Sequence, residues 1–145
     1  MRSSAFLFLL TLLITGPASA QKPRAMSASG NRVQTIVQPS DALARALSSR
    51  DVSALSQMCT EQVDLTLDGE TTVYTRAQVA YVLDTWLGDH PPRLIRFMRH
   101  TEGMSGALMA SGVLVHDEGE VDVTARFVRS ESGSWEVNAL HLMER

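Results

Sequence analysis

Tyr81 and Asp84 are the two side chains of this 145-residue chain whose spacing best suits acid–base chemistry. They lie three residues apart in a segment with helical periodicity, so both point to one side of that helix. A tyrosine and a carboxylate on one face can exchange protons with a bound substrate. A capped amphipathic helix explains both residues without catalysis, because Asp84 lies beyond the apolar stripe where water solvates it.

The histidines show no metal-binding pattern, since no two of the four are separated by four residues: His90, His100, His116 and His141. Zinc sites usually show tighter spacing. Adjacent strands could bring His100 and His116 together, but nothing in the sequence selects this arrangement over exposure. The acidic turn from Asp117 to Asp122 lacks the EF-hand loop pattern, so a solvated turn is expected. The sequence therefore predicts neither a metal nor a cofactor.

Cys59 is the single cysteine, so the chain has no internal disulfide. Free cysteines usually behave as small buried hydrophobic residues. An intermolecular disulfide or a reactive thiolate stays open, although no known motif places a histidine or asparagine beside the thiol. The core must therefore supply the stability.

The charge balance argues against nucleic acid as a partner. From Val33 onward, 9 Lys and Arg stand against 16 Asp and Glu, a net charge of −7. A nucleic-acid binder needs a basic face that replaces the phosphate counterions. Arg93, Arg96 and Arg99 fall on both faces of one predicted strand, where they would mark a sheet rim rather than a phosphate-binding stripe.

The first twenty residues predict export. Arg2 precedes an uncharged apolar run, and the small residues Ala18-Ser19-Ala20 match a signal-peptidase site. The run is shorter than the roughly 20 residues that a membrane span needs. We therefore expect a signal peptide over residues 1–20, cleavage after Ala20 into the periplasm or the medium, and no membrane span afterwards. Residues 21–37 read as a flexible polar leader, and residues 38–145 as one folded domain.

Local signals divide the domain into helices followed by strands. Ser40 and Asp51 are predicted N-caps of two short helices, and Asp68-Gly69 is a turn between two strands. Thr75 and Gln78 form a capping box that begins a longer amphipathic helix, and Gly88 is its expected left-handed end. Four strands are expected after it, over residues 93–102, 107–116, 120–128 and 135–144. In the last strand the apolar residues change parity, which predicts a β-bulge near Asn138-Ala139.

This order of elements resembles the nuclear-transport-factor-2-like (cystatin-like) superfamily, and within it the exported bacterial domain-of-unknown-function family 4783. The resemblance covers roughly residues 38–143. It rests on caps, turns and core positions: Arg50-Asp-Val-Ser-Ala-Leu-Ser56, Val63-Asp-Leu65, Tyr74-Thr-Arg-Ala-Gln78, Pro91-Pro92, Gly112, Gly119, Gly133 and Leu140-His-Leu142. It implies an α+β cone with two short N-terminal helices, and one long amphipathic helix packed on a curved antiparallel sheet.

Within such a cone, the leading expectation is a non-catalytic domain that binds a small apolar ligand or a peptide between the long helix and the sheet. The candidate lining residues are aromatic or lie at the predicted bulge: Tyr81, Trp86, Phe97, Phe127 and Asn138. A second expectation is a homodimer through the outer sheet face, which carries Asp122, Thr124, Arg126 and Val128. A third is an isomerase- or hydratase-like enzyme with a polar group inside the cone.

Overall fold

The computed structural model describes residues 38–145. The predicted signal peptide and leader, residues 1–37, lie outside the described residues. Three helices and six strands follow in chain order: α1 (Pro39–Ser49), α2 (Val52–Met58), β1 (Cys59–Leu67), β2 (Glu70–Thr75), α3 (Arg76–Asp89), β3 (Leu94–Glu102), β4 (Leu108–His116), β5 (Gly119–Arg129) and β6 (Trp135–Glu144). No helix in this part of the chain combines the length and the apolar character that a membrane crossing requires.

The six strands form one sheet in the order β2-β1-β6-β5-β4-β3. Neighbouring strands are antiparallel except β1 and β6, which run parallel. This pair corrects the purely antiparallel sheet expected from the sequence. No hairpin joins β1 to β6, so no local turn signal could have fixed their relative direction.

Of the two N-caps predicted for the short helices, one is confirmed and the other is wrong. Asp51 caps α2 as predicted, because its Oδ1 accepts a hydrogen bond of 3.0 Å from the amide of Ala54. The predicted Ser40 cap is wrong, since Gln38 occupies the N-cap position of α1. Ser40 is instead completely buried, and its Oγ lies 2.7 Å from Nε2 of His100 in β3. This bond ties α1 to the sheet.

Helix α3 begins as predicted and ends later than predicted. The Thr75 hydroxyl accepts from the Gln78 amide at 3.4 Å, and the Thr75 amide donates to the Gln78 side chain at 3.1 Å. The expected stop at Gly88 is wrong, because the helix continues to Asp89 and Gly88 has no positive φ. The two prolines at positions 91 and 92 follow at once and prevent continuation.

Register shifts interrupt three of the strand pairings: β1 with β6, β3 with β4, and β5 with β6. In the pairing of β5 with β6, Arg126 lies opposite Ala139 and Phe127 opposite Val137, so Asn138 is the extra residue. This confirms the predicted bulge. A second bulge in β3 leaves Met98 as the extra residue beside β4, and the sequence analysis did not predict it.

The helices cover the inner face of the curved sheet, and one apolar core fills the space between them. Its largest side chains are almost completely shielded from water: Phe127, Leu43, Leu47, Leu55, Leu65, Leu83, Leu87, Leu114, Leu140 and Leu142. Along β4 and β5, buried residues that face the helices alternate with exposed or half-buried residues on the outer face. The α+β class predicted from the sequence is confirmed, and none of the helices within residues 38–145 covers the outer face of the sheet.

Candidate functional site

The five predicted lining residues do not lie around one recess. Phe127 is 1% exposed inside the core, whereas Tyr81 is 71% exposed on the surface of α3. Trp86 is 8% exposed, and Phe97 and Asn138 are half-buried. Phe127 and Asn138 are neighbours across the β6 bulge. A role for the five as one ligand-contacting set stays a prediction.

Asp84, the predicted acid–base partner of Tyr81, forms an ion pair with Arg50. Arg50 adopts a left-handed conformation after α1, and its Nε donates to Oδ1 of Asp84 at 3.0 Å. Its Nη2 also donates to the Asp84 carbonyl oxygen at 3.0 Å. These bonds link the end of α1 to the middle of α3, so Asp84 holds two helices together.

Cys59 lies in the core beside a small group of polar side chains. Burial raises the pKa of its thiol from 9.0 to about 11, with a smaller opposing effect of the Arg76 charge. The thiol is therefore neutral at physiological pH, which agrees with the buried hydrophobic role expected for it. Nearby, Arg76 lies 3.7 Å from the carboxylate of Glu136. The Nε of Arg76 and the Oδ1 of Asn138 are buried without a hydrogen-bond partner among residues 38–145.

A histidine cluster forms at the C-terminal end of α3. His90 stacks on Trp86 with ring centroids 4.1 Å apart, and its Nδ1 donates to the Trp86 carbonyl at 2.9 Å. The ring of His116 meets His90 edge-on at 5.3 Å, and Nε2 of His90 lies 3.3 Å from Oε1 of Glu144. The conceivable pairing of His100 with His116 does not occur, because His100 lies opposite Ala110 and bonds Ser40.

This cluster borders a polar pocket of about 170 Å³. Its walls carry one buried histidine and several exposed charged side chains: His116, Glu118, Glu120, Glu144 and Arg145. Within residues 38–145, no group of three His, Cys, Asp or Glu side chains is arranged to hold a metal ion. The pocket is also smaller than the roughly 300–1,000 Å³ typical of small-molecule sites.

Two large recesses lie outside the core. One is an open groove of about 600 Å³ between α1 and β3, lined by Ala44, Arg45, Ser48, Ser49 and Ile95. The other is a groove of about 510 Å³ on the outer sheet face, whose lining includes Met98, Arg99, Ser111, Asp122, Thr124 and Arg145. Sequence analysis missed both, because each combines residues that are far apart in the chain and individually look like ordinary surface positions.

Comparisons with known proteins agree with this architecture. The model of DUF4783, a domain of unknown function, matches residues 40–142. A DUF4783 protein from Bacteroides fragilis is similar with a TM-score of 0.66 and 12% identity, over 72% of this chain and 96% of that one. The NTF2 chain Rd1NTF2_05 matches with a TM-score of 0.59 and 16% identity, over 70% and 90% of the two chains. No curated protein sequence matches significantly.

A provisionally assigned ketosteroid isomerase from Shewanella frigidimarina also matches, with a TM-score of 0.58 and 11% identity. The match covers 72% of this chain and 90% of that one. At such identities the structural likeness shows the fold alone. The nuclear-transport-factor-2-like fold expected from the sequence is thereby confirmed.

Proposed function

The chain belongs to the DUF4783 family, and from this premise we propose that it is a non-catalytic binding domain for an apolar or amphipathic ligand. The ligand is a small molecule or a peptide segment. The observation that carries the proposal is the open groove of about 600 Å³ between α1 and β3. The groove is largely open to solvent, so it would cover one side of a ligand and leave the other side in water.

The packing of the core supports a site at this groove rather than deeper in the cone. Leu43 and Leu47 on the inner side of α1 are at most 1% exposed, and so are Leu83 and Phe127. A ligand would have to displace these side chains to enter, at a cost of several kcal/mol for each cavity opened. The groove on the other side of α1 requires no such displacement.

The free edge of β3 gives the groove a second means of holding a peptide. Within residues 38–145, β3 is the last strand of the sheet, and only its edge beside β4 is paired. Over its nine residues the other edge presents backbone groups to which an added strand can bond. Ile95 and Ala44 would then contact apolar side chains of that strand, and Arg45 would suit an acidic residue.

A neutral apolar dye tests the groove directly. We expect N-phenyl-1-naphthylamine to gain fluorescence with the wild-type chain and to lose most of that gain with Ser48→Trp, which fills the groove from an exposed helix position. Gln57→Trp on the exposed side of α2 adds the same side chain outside the groove and should bind the dye like the wild type. Equal dye binding by all three proteins would contradict the proposed site.

A homodimer through the outer sheet face is the second candidate. Its specific support is that Leu94, Met98 and Met143 are exposed there by 44%, 58% and 41%. Large exposed apolar side chains on one face of a sheet are candidates for an interface. Sedimentation velocity over a hundredfold range of protein concentration should show a dimer that dissociates on dilution, whereas a monomer throughout would remove this candidate.

Export is the remaining part of the proposal. The apolar run before Ala20 supports secretion with removal of residues 1–20. Intact-mass analysis of the protein from its own host should then give a chain that starts at Gln21. A chain that retains Met1 or the apolar run would contradict it.

A further inference from the structure

The outer sheet face of this acidic domain carries three arginines, and of these Arg99 lines the outer groove. Arg96, Arg99 and Arg126 have no carboxylate within ion-pair distance among residues 38–145. The same residues contain 9 arginines and 16 acidic side chains, so acidic partners are plentiful elsewhere on the surface. An unpaired cluster of one sign attracts a ligand of the opposite sign.

The β3 bulge is what brings two of these arginines to one face. Arg96 lies opposite Val113, and Arg99 lies opposite Ser111. Val113 and Ser111 are two residues apart in β4. Partners two residues apart share a face, so Arg96 and Arg99 both point outward. In a regular strand, side chains three residues apart point to opposite faces, as the sequence analysis expected for them. The extra residue Met98 corrects that expectation.

Arg99 lies in the outer groove beside two hydroxyl groups. The lining residues Ser111 and Thr124 are cross-strand partners, and Ser111 is also the partner of Arg99. One guanidinium and two hydroxyls in a row can all donate hydrogen bonds to the oxygens of one anion. Neighbouring strands are about 4.8 Å apart, so the row spans roughly 10 Å.

The acidic side chain of this groove already has an ion-pair partner. Asp122 Oδ1 accepts from Nη2 of Arg145 at 2.7 Å and from its Nε at 2.8 Å. Glu120, next on the same face of β5, accepts from Nη1 of Arg145 at 2.7 Å. Arg145 is shared by two carboxylates, and Arg99 is the one charged lining residue without an ion-pair partner among residues 38–145.

We propose that this outer groove binds the oxyanion group of a small ligand, a carboxylate or a phosphate ester, through Arg99, Ser111 and Thr124. The guanidinium forms the ion pair, and the two hydroxyls donate to the remaining oxygens. Met98 supplies an apolar wall for the rest of the ligand. This site is independent of the α1–β3 groove.

Titration of the labelled chain with sodium phosphate and with sodium acetate tests the proposal, with sodium chloride holding the ionic strength constant. Nuclear magnetic resonance should show saturable shifts of the Arg99 side-chain Nε–H and of the Ser111 and Thr124 amides. Saturation by phosphate alone assigns a phosphate ester, saturation by acetate alone assigns a carboxylate, and saturation by both assigns a general oxyanion site. Each of these results supports the proposal.

Two variants separate this site from general charge effects. Arg99→Gln, at an exposed position, should weaken the oxyanion affinity at least tenfold while leaving the amide spectrum otherwise dispersed. Arg129→Gln removes an arginine that stacks over Trp135 at 4.1 Å, and should leave the affinity unchanged. Shifts that never saturate, or that persist in Arg99→Gln, would overturn the site. A stable dimer that covers these residues in the absence of anions would do so as well.

Discussion

Gly112→Ala is expected to damage the fold at the point where β3 bulges over β4. A Cβ at position 112 would lie 1.9 Å from the carbonyl oxygen of Arg96 and 2.7 Å from Cα of Phe97. Both atoms belong to the backbone, so no side-chain rotation relieves the overlap. To reach the ordinary contact distance of 3.4 Å, the β3 backbone must shift by about 1.5 Å, which breaks ladder hydrogen bonds and strains the bulge.

The magnitude follows from the cost of overpacking a close-packed site. Inserting one methyl group costs about 1–3 kcal/mol where neighbours can adjust, and the rigid backbone here places the expectation near the upper end. At roughly 4 °C per kcal/mol for a domain of this size, the melting temperature should fall by about 12 °C. Urea unfolding followed by circular dichroism measures the loss of unfolding free energy.

Gly88→Ala is the matched control. At position 88 the added Cβ meets the Arg50 guanidinium at 3.3 Å, so that group must move by a few tenths of an ångström while it keeps its bonds to Asp84, and the backbone is helical. Alanine favours a helix by about 1 kcal/mol over glycine, so this variant should be neutral or slightly more stable. Equal stability of Gly112→Ala and Gly88→Ala would refute the reasoning about the bulge.

Three further predictions concern the core, a cap and the thiol. Phe127→Ala should lower the free energy of unfolding by about 3–5 kcal/mol in urea, because the ring is completely buried. Thr75→Ala removes the hydroxyl of the capping box and should cost about 1 kcal/mol by the same assay, whereas Thr75→Ser should restore most of it. Burial raises the pKa of the Cys59 thiol from 9.0 in the unfolded chain to about 11 in the folded protein. Between these two pH values the unfolded chain loses the thiol proton more readily than the folded protein does, so the free energy of unfolding falls as the pH rises. Over that interval the wild type should therefore lose roughly 2 kcal/mol more than Cys59→Ala, and parallel pH profiles of the two proteins would contradict the burial of the thiol.

Features fixed by a few neighbouring residues could be predicted from the sequence. The capping box at Thr75 and Gln78 and the cap at Asp51 depend on side chains three residues apart, and both are confirmed. The bulge at Asn138 was predictable because a change of parity within β6 has one geometric solution. The family resemblance supplied the fold that joins these elements.

Features that depend on distant partners could not be predicted. The outward direction of Arg99 depends on the bulge at Met98, and that bulge is possible because Gly112 in another strand lacks a side chain. Ser40 reads as a cap by its position, but burial against His100 gives it a different role. The α1–β3 groove likewise exists only once a helix and an edge strand are brought together.

The most direct test of the proposed binding function is native mass spectrometry of the chain purified gently from its own host. We expect the wild type to carry an excess mass that disappears on denaturation, because a ligand leaves with the fold. Ser48→Trp should lack this mass, and Gln57→Trp should retain it. A wild-type chain without any excess mass, or an excess mass that Ser48→Trp keeps, would contradict a ligand site between α1 and β3.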